Sequence, residues 1–142
     1  MEITANALQN VAVGSNILFT ETPIAGSCSM IHREGSGLVT LRGITSQSRA
    51  RFRVLFNANI AIPSGATVSA ATASVAAIAL DGEAVGSATM ISTTSAAAEF
   101  NNISASLFID VPSGCCQTLS VKNIGSQELS VENANLIIER VA

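Results

Sequence analysis

Along residues 49–56, RARFRVLF, charged and apolar side chains alternate up to Val54, and Leu55 then puts an apolar residue on the charged face. Ala50, Phe52, Val54 and Phe56 share one face and Arg49, Arg51, Arg53 and Leu55 the other, the period-two pattern of a strand with one buried side. The pattern predicts that Phe52, Val54 and Phe56 lie in a core while the arginines project away from it. Like charges at alternate positions repel, so Glu or Asp side chains from a neighbouring strand or subunit are expected beside them.

Nearly every other segment after Val11 reads as strand and turn. NILFTET (residues 16–22) is extended and stops at Pro23. Pro63-Ser64-Gly65 and Pro112-Ser113-Gly114 are turns. Asp81-Gly82 between two extended runs predicts a hairpin, because that pair accepts the positive φ angles of a type I′ turn. After Cys116, Leu119 and Val121 alternate with Thr118, Ser120 and Lys122, Asn123 to Gly125 reads as a turn, and Leu136-Ile137-Ile138 lies in the last strand. The Ala, Ser and Thr of residues 64–98 are assigned to strand, since Thr72, Ser74 and Val75 interrupt the helix propensity of the alanines. Their small side chains suit either filling between sheets or close approach of neighbouring chains around a symmetry axis. Many short strands without intervening helices imply an all-β antiparallel sandwich or jelly roll and exclude a parallel α/β fold. Residues 1–15, the least strand-like stretch, are expected to form an N-terminal arm, with a single domain over residues 16–142.

Composition narrows the function. Of 142 residues, 48% are hydrophobic and 12% charged, about half the usual charged share of ~25%. The net charge is −3, no Lys/Arg-rich run stands out, and the 4% of aromatics are all Phe. Nucleic acid is therefore not an expected partner. The apolar runs are short and broken, so no membrane-spanning helix is expected, and MEITANALQN lacks the apolar region of a secretory signal. Mean hydropathy is nonetheless +0.46. Burial between subunits, in a protein made in a cytoplasm, resolves that combination.

The candidate chemistry centres on CSMIHREGSGLVTLRG (residues 28–43), which holds the only histidine. In an extended chain Cys28, Met30, His32 and Glu34 share a face. The segment breaks at Gly35-Ser36-Gly37 and resumes at Leu38, so strand, glycine turn, strand is the favoured reading over a nucleophile with its base. There is no nucleophile elbow, zinc spacing or phosphate loop. No catalytic, metal-ligating or cofactor-binding residue is assigned, and no cofactor is expected. Cys28, Cys115 and Cys116 show no disulfide-framework spacing and are expected to be buried free thiols acting as small hydrophobes. Cys115 and Cys116, pointing to opposite faces, allow at most one deep in the core, and neither is expected in an intrachain disulfide.

VPSGCCQTLSVKN and VENANLIIERV resemble the closing strands of the tumour-necrosis-factor and complement globular-head type jelly roll. The likeness is to the bacterial and phage versions that cap collagen-like stalks. Val111-Pro112-Ser113-Gly114 and Asn133 to Ile138 carry it. NILFTETPI and IHREGSGLVTLRG are similar to small proteins encoded among structural genes of gut tailed phages. The resemblance implies a compact homotrimer with no enzymatic activity. No Gly-x-y repeat is present and no aromatics are available for a trimer axis, which shifts the expectation from a long fibre to a short knob. The expected function is a trimeric capsid decoration or head-fibre protein on the virion surface, with the phage major capsid protein as partner and residues 1–15 docking on it. The subunit interface is expected from residues 64–98 and 107–111. The alternative is a module binding a host glycan or receptor through loops at Arg33-Glu34, Asn101-Asn102 and Asn133–Asn135, and a hydrolase using His32 ranks third.

Overall fold

A computed structural model describes residues 1–68, 73–94 and 96–142. It holds eleven strands and, among the described residues, no helix: β1 (Glu2–Ala5), β2 (Gln9–Val11), β3 (Glu21–Ile24), β4 (Met30–His32), β5 (Val39–Arg42), β6 (Arg49–Ala61), β7 (Ala73–Leu80), β8 (Glu83–Thr93), β9 (Asn101–Pro112), β10 (Cys116–Asn123) and β11 (Leu129–Arg140). They form two antiparallel sheets packed face to face. The six-stranded sheet runs β3-β1-β11-β6-β9, with β2 also paired to β11, and the five-stranded sheet runs β4-β5-β10-β7-β8. The connections β5 to β6, β6 to β7, β8 to β9, β9 to β10 and β10 to β11 each cross from one sheet to the other.

The long strands β6, β9 and β11 of the six-stranded sheet are amphipathic with period two, and their inner face closes on one core with the five-stranded sheet. Ala50, Phe52, Val54 and Phe56 are at most 1% exposed, as their alternation predicts. Phe19 packs edge-on against Phe56, with ring centroids 6.4 Å apart and planes at 86°. Asp81 and Gly82 adopt φ of 51° and 85° and close the β7–β8 hairpin. Pro112 to Gly114 turns the chain from one sheet into the other, with Cys115 N–H donating to the Pro112 carbonyl at 3.0 Å. That crossing presses against Gly43, where a Cβ would collide with the Pro112 carbonyl oxygen. The strand expected over residues 70–79 is β7, and residues 69–72 lie outside the described residues.

Two expectations are corrected. Residues 1–15 are not an arm. β1 sits between β3 and β11, and Ile3, Ala5 and Val11 are buried. The Met1 ammonium donates to the Ile138 carbonyl at 2.7 Å. Partners more than a hundred residues away make these short strands, so their own pattern is too brief to announce them. Residues 16–20 in turn form no ladder strand. They cross from one sheet to the other, Ile17 donating to Val121 and Thr20 to Thr4, and they bury Ile17 and Phe19. The strand follows at Glu21–Ile24 and contains Pro23, which an edge strand tolerates because the missing N–H faces no partner.

Candidate interaction face

The outward positions of β6 form the spine of an exposed face on the six-stranded sheet. Register assigns their neighbours: Arg51 lies opposite Asp110, Arg53 opposite Phe108 and Glu139, Leu55 opposite Ser106 and Ile137, and Asn57 opposite Ser104 and Asn135. The face therefore has three zones along β6: charged, apolar and amide.

In the charged zone Arg51 grips Asp110 with two hydrogen bonds, Nε to Oδ1 at 2.7 Å and Nη2 to Oδ2 at 2.8 Å. Arg49 stands 3.4 Å from the same carboxylate, and Arg53 donates to Glu139 at 2.7 Å. The acidic neighbours expected for the arginines are present within the chain, on β9 and β11. Hydrogen bonding from Arg51 holds the Asp110 carboxyl below its usual range, with the charges of Arg51 and Arg49 adding and partial desolvation opposing. The same bonds raise the Arg51 guanidinium. A carboxyl depressed in the folded state stabilises it above the unfolded pKa of about 3.9, and that contribution is lost as pH falls through the folded value. The pair is exposed and screened, so its share of stability is small. NMR titration is expected to show Asp110 ionising below an ordinary Asp and moving upward in Arg51→Ala. An ordinary value in the native chain would mean the paired geometry does not persist in solution.

The amide zone gathers residues expected on separate loops. Asn101 and Asn102 instead open β9, and Asn133 to Asn135 lie within β11. Asn102 donates to Asn59 at 3.2 Å, and Asn59 donates to Asn133 at 3.3 Å. Asn133 occupies a bulge of the β6–β11 ladder at φ 54°, a conformation Asn tolerates better than most residues. Between the zones, Leu55 and Ile137 are half-buried, while Phe108 is 64% exposed. Phe108 falls within the interface stretch expected from sequence. The period-two pattern of β6 places Leu55 outward, but does not say that Ile137 lies beside it.

Within residues 64–98, Ala76 to Ala79 are buried inside the chain, so these alanines fill space within the subunit. Residues 69–72 and 95 lie outside the described residues.

His32 ends β4, opposite Val39, in the expected strand, turn, strand arrangement. Its Nε2 lies 3.0 Å from the Ser36 carbonyl, and its ring packs edge-on to Phe19 at 6.4 Å. Nε2–H is thus the donor that clamps the glycine turn, which leaves Nδ1 as a buried acceptor without a partner. No carboxylate hydrogen-bonds the ring among the described residues. Arg33 and Glu34 are exposed in the turn. Among the described residues no group of three or more His, Cys, Asp or Glu is placed to hold a metal ion.

The expectation of buried thiols is overturned: Cys28, Cys115 and Cys116 are all exposed. Arg42 donates to the Ser29 carbonyl and Gly43 to the Cys115 carbonyl, while Cys116 pairs with Arg42. The three cysteines thereby meet at one corner of the five-stranded sheet. They lie beyond the end of the core, since Leu119 is the first buried residue of β10. All three are free thiols. Alkylation of the native, unreduced protein is expected to modify all three thiols. Three unreactive thiols by mass spectrometry would contradict the exposed corner.

A scan of protein-family models and a search of curated proteins find no match to this chain.

Proposed function

We propose that the chain is a virion structural protein, a trimeric jelly roll decorating the surface of a phage particle. The observation that carries this reading is the outer face of the six-stranded sheet. Its apolar row, Leu55 and Ile137, lies between self-paired ions and linked amides, and exposed Phe108 stands one row away beside the Arg53–Glu139 pair. Charges that neutralise one another within the chain can be covered at lower cost than unpaired ones, so this face suits burial against another subunit. The strand order favours the tumour-necrosis-factor-like jelly roll, because β1-β11-β6-β9 faces β5-β10-β7-β8 and consecutive strands keep changing sheet. With β1 and β2 built into the sandwich, contact with the major capsid protein falls to the loops at its ends rather than to an arm.

Two measurements test the reading. Light scattering of purified protein at micromolar concentration is expected to give three chains per particle. Capsids lacking the protein are expected to bind it in sedimentation. A stable monomer removes the trimer, and failure to co-sediment with capsids removes the decoration role.

A further inference from the structure

Phe108 sits on edge strand β9, at one side of the outer face. At the opposite side, where β1 begins against β11, a notch of about 480 Å³ opens, lined by Met1, Ile24, Met30 and Ile137. An aromatic ring 64% exposed on a sheet face and an open apolar notch on the other edge of that face are complementary shapes that one chain cannot bring together. Ile24, on the notch wall, is itself 59% exposed. An apolar cavity of about 150 Å³ already accepts a benzene ring, so the notch has room for Phe108.

Beside Phe108, three arginines, Arg49, Arg51 and Arg53, face two carboxylates, Asp110 and Glu139, which leaves one positive charge in excess. At the notch, Glu2 and Glu139 stand with Arg140 and the Met1 ammonium, and Glu139 is already held by Arg53. Arg49 is the cation with the longest ion pair, at 3.4 Å to a carboxylate already held by Arg51, and no cation pairs with Glu2 among the described residues.

We propose that copies of this chain associate head to tail, Phe108 of one entering the notch between Ile24 and Ile137 of the next. A contact between two different patches of one surface repeats by rotation and closes into a ring when the rotation permits. The proposal rests on the oligomer reading above and names the contact that builds it.

The test uses Phe108→Asp, which removes the ring but keeps the notch, and Ile24→Asp, which charges the notch wall but keeps the ring. Both side chains are exposed, so circular dichroism and the unfolding midpoint are expected to stay near those of the parent chain. Each variant alone is expected to be monomeric by light scattering at a concentration where the parent is trimeric. Mixed in equal amounts at high micromolar concentration, the two are expected to give one-to-one complexes, because Ile24→Asp supplies a ring to the intact notch of Phe108→Asp. Either variant assembling like the parent, or a mixture that stays monomeric, overturns the contact while leaving the trimer in place. A monomeric parent chain removes the trimer itself.

Discussion

Phe56→Ala is expected to lower the unfolding free energy by about 3–5 kcal/mol, the range for losing a fully buried aromatic ring. Phe56 is 1% exposed at the middle of β6, flanked by β11 and β9, with Phe19 of the crossing segment edge-on to its ring. The ring supplies buried area and an edge-to-face contact that no neighbour can replace. The core around it is built of Ala, Val, Ile and Leu held on paired strands, so collapse into the vacated space is restricted. For a domain with a total stability of about 5–15 kcal/mol, this is a substantial share. Urea unfolding should show a lower midpoint with unchanged slope. Loss of less than about 1 kcal/mol would mean that the sheets close over the cavity and that the packing here is softer than the structure indicates.

Asn123→Ala is the second large effect, through unpaired polar groups rather than a cavity. Asn123 is fully buried at the end of β10. Its Nδ2 donates to the Val11 carbonyl at 3.0 Å and the Gln127 carbonyl at 2.8 Å, and its Oδ1 accepts the Gly125 N–H at 3.0 Å. Its backbone exchanges hydrogen bonds with Ser15 and Gly14. One side chain thus ties the loop after β2 to the turn between β10 and β11. Truncation strands two carbonyls and one amide, and about 2–4 kcal/mol of destabilisation is expected. Asn123→Asp should not rescue it, since a carboxylate satisfies Gly125 but offers nothing to the two carbonyls. Hydrogen exchange is expected to quicken at Gly125 in Asn123→Ala before it changes in β6. Unchanged protection at Gly125 would show that the Asn123 side chain does not hold the turn.

The two residues differ in how far they could be read beforehand. Phe56 was placed by its strand's own alternation, and the Asp81-Gly82 hairpin and the Pro112 to Gly114 turn were equally legible. Each depends on periodicity or on backbone preferences within a few residues. The acidic partners of the arginines were expected as a class because repulsion along β6 demands them, although Asp110 and Glu139 were not singled out. Asn123 was read as the start of a turn, which its bond to Gly125 satisfies. Its bond to Val11, 112 positions away, has no local signature.

From the sequence alone came the strands with long alternation, the turns, the absence of a helical pattern and the two-sided character of β6. These follow from side-chain direction and φ preference, which neighbouring residues set among themselves. The tertiary structure alone decided which strands are neighbours, and so what each face contains. It drew Met1 to Val11 into the six-stranded sheet, moved the three thiols out of the core to one corner, and aligned Asn59, Asn102 and Asn133 into one amide cluster. It also set Phe108 and the Ile24 notch on opposite edges of the same face. Period two says that a side chain points inward or outward, but not what lies beside it. Register between distant strands settles that, because it is chosen by the whole core closing at once.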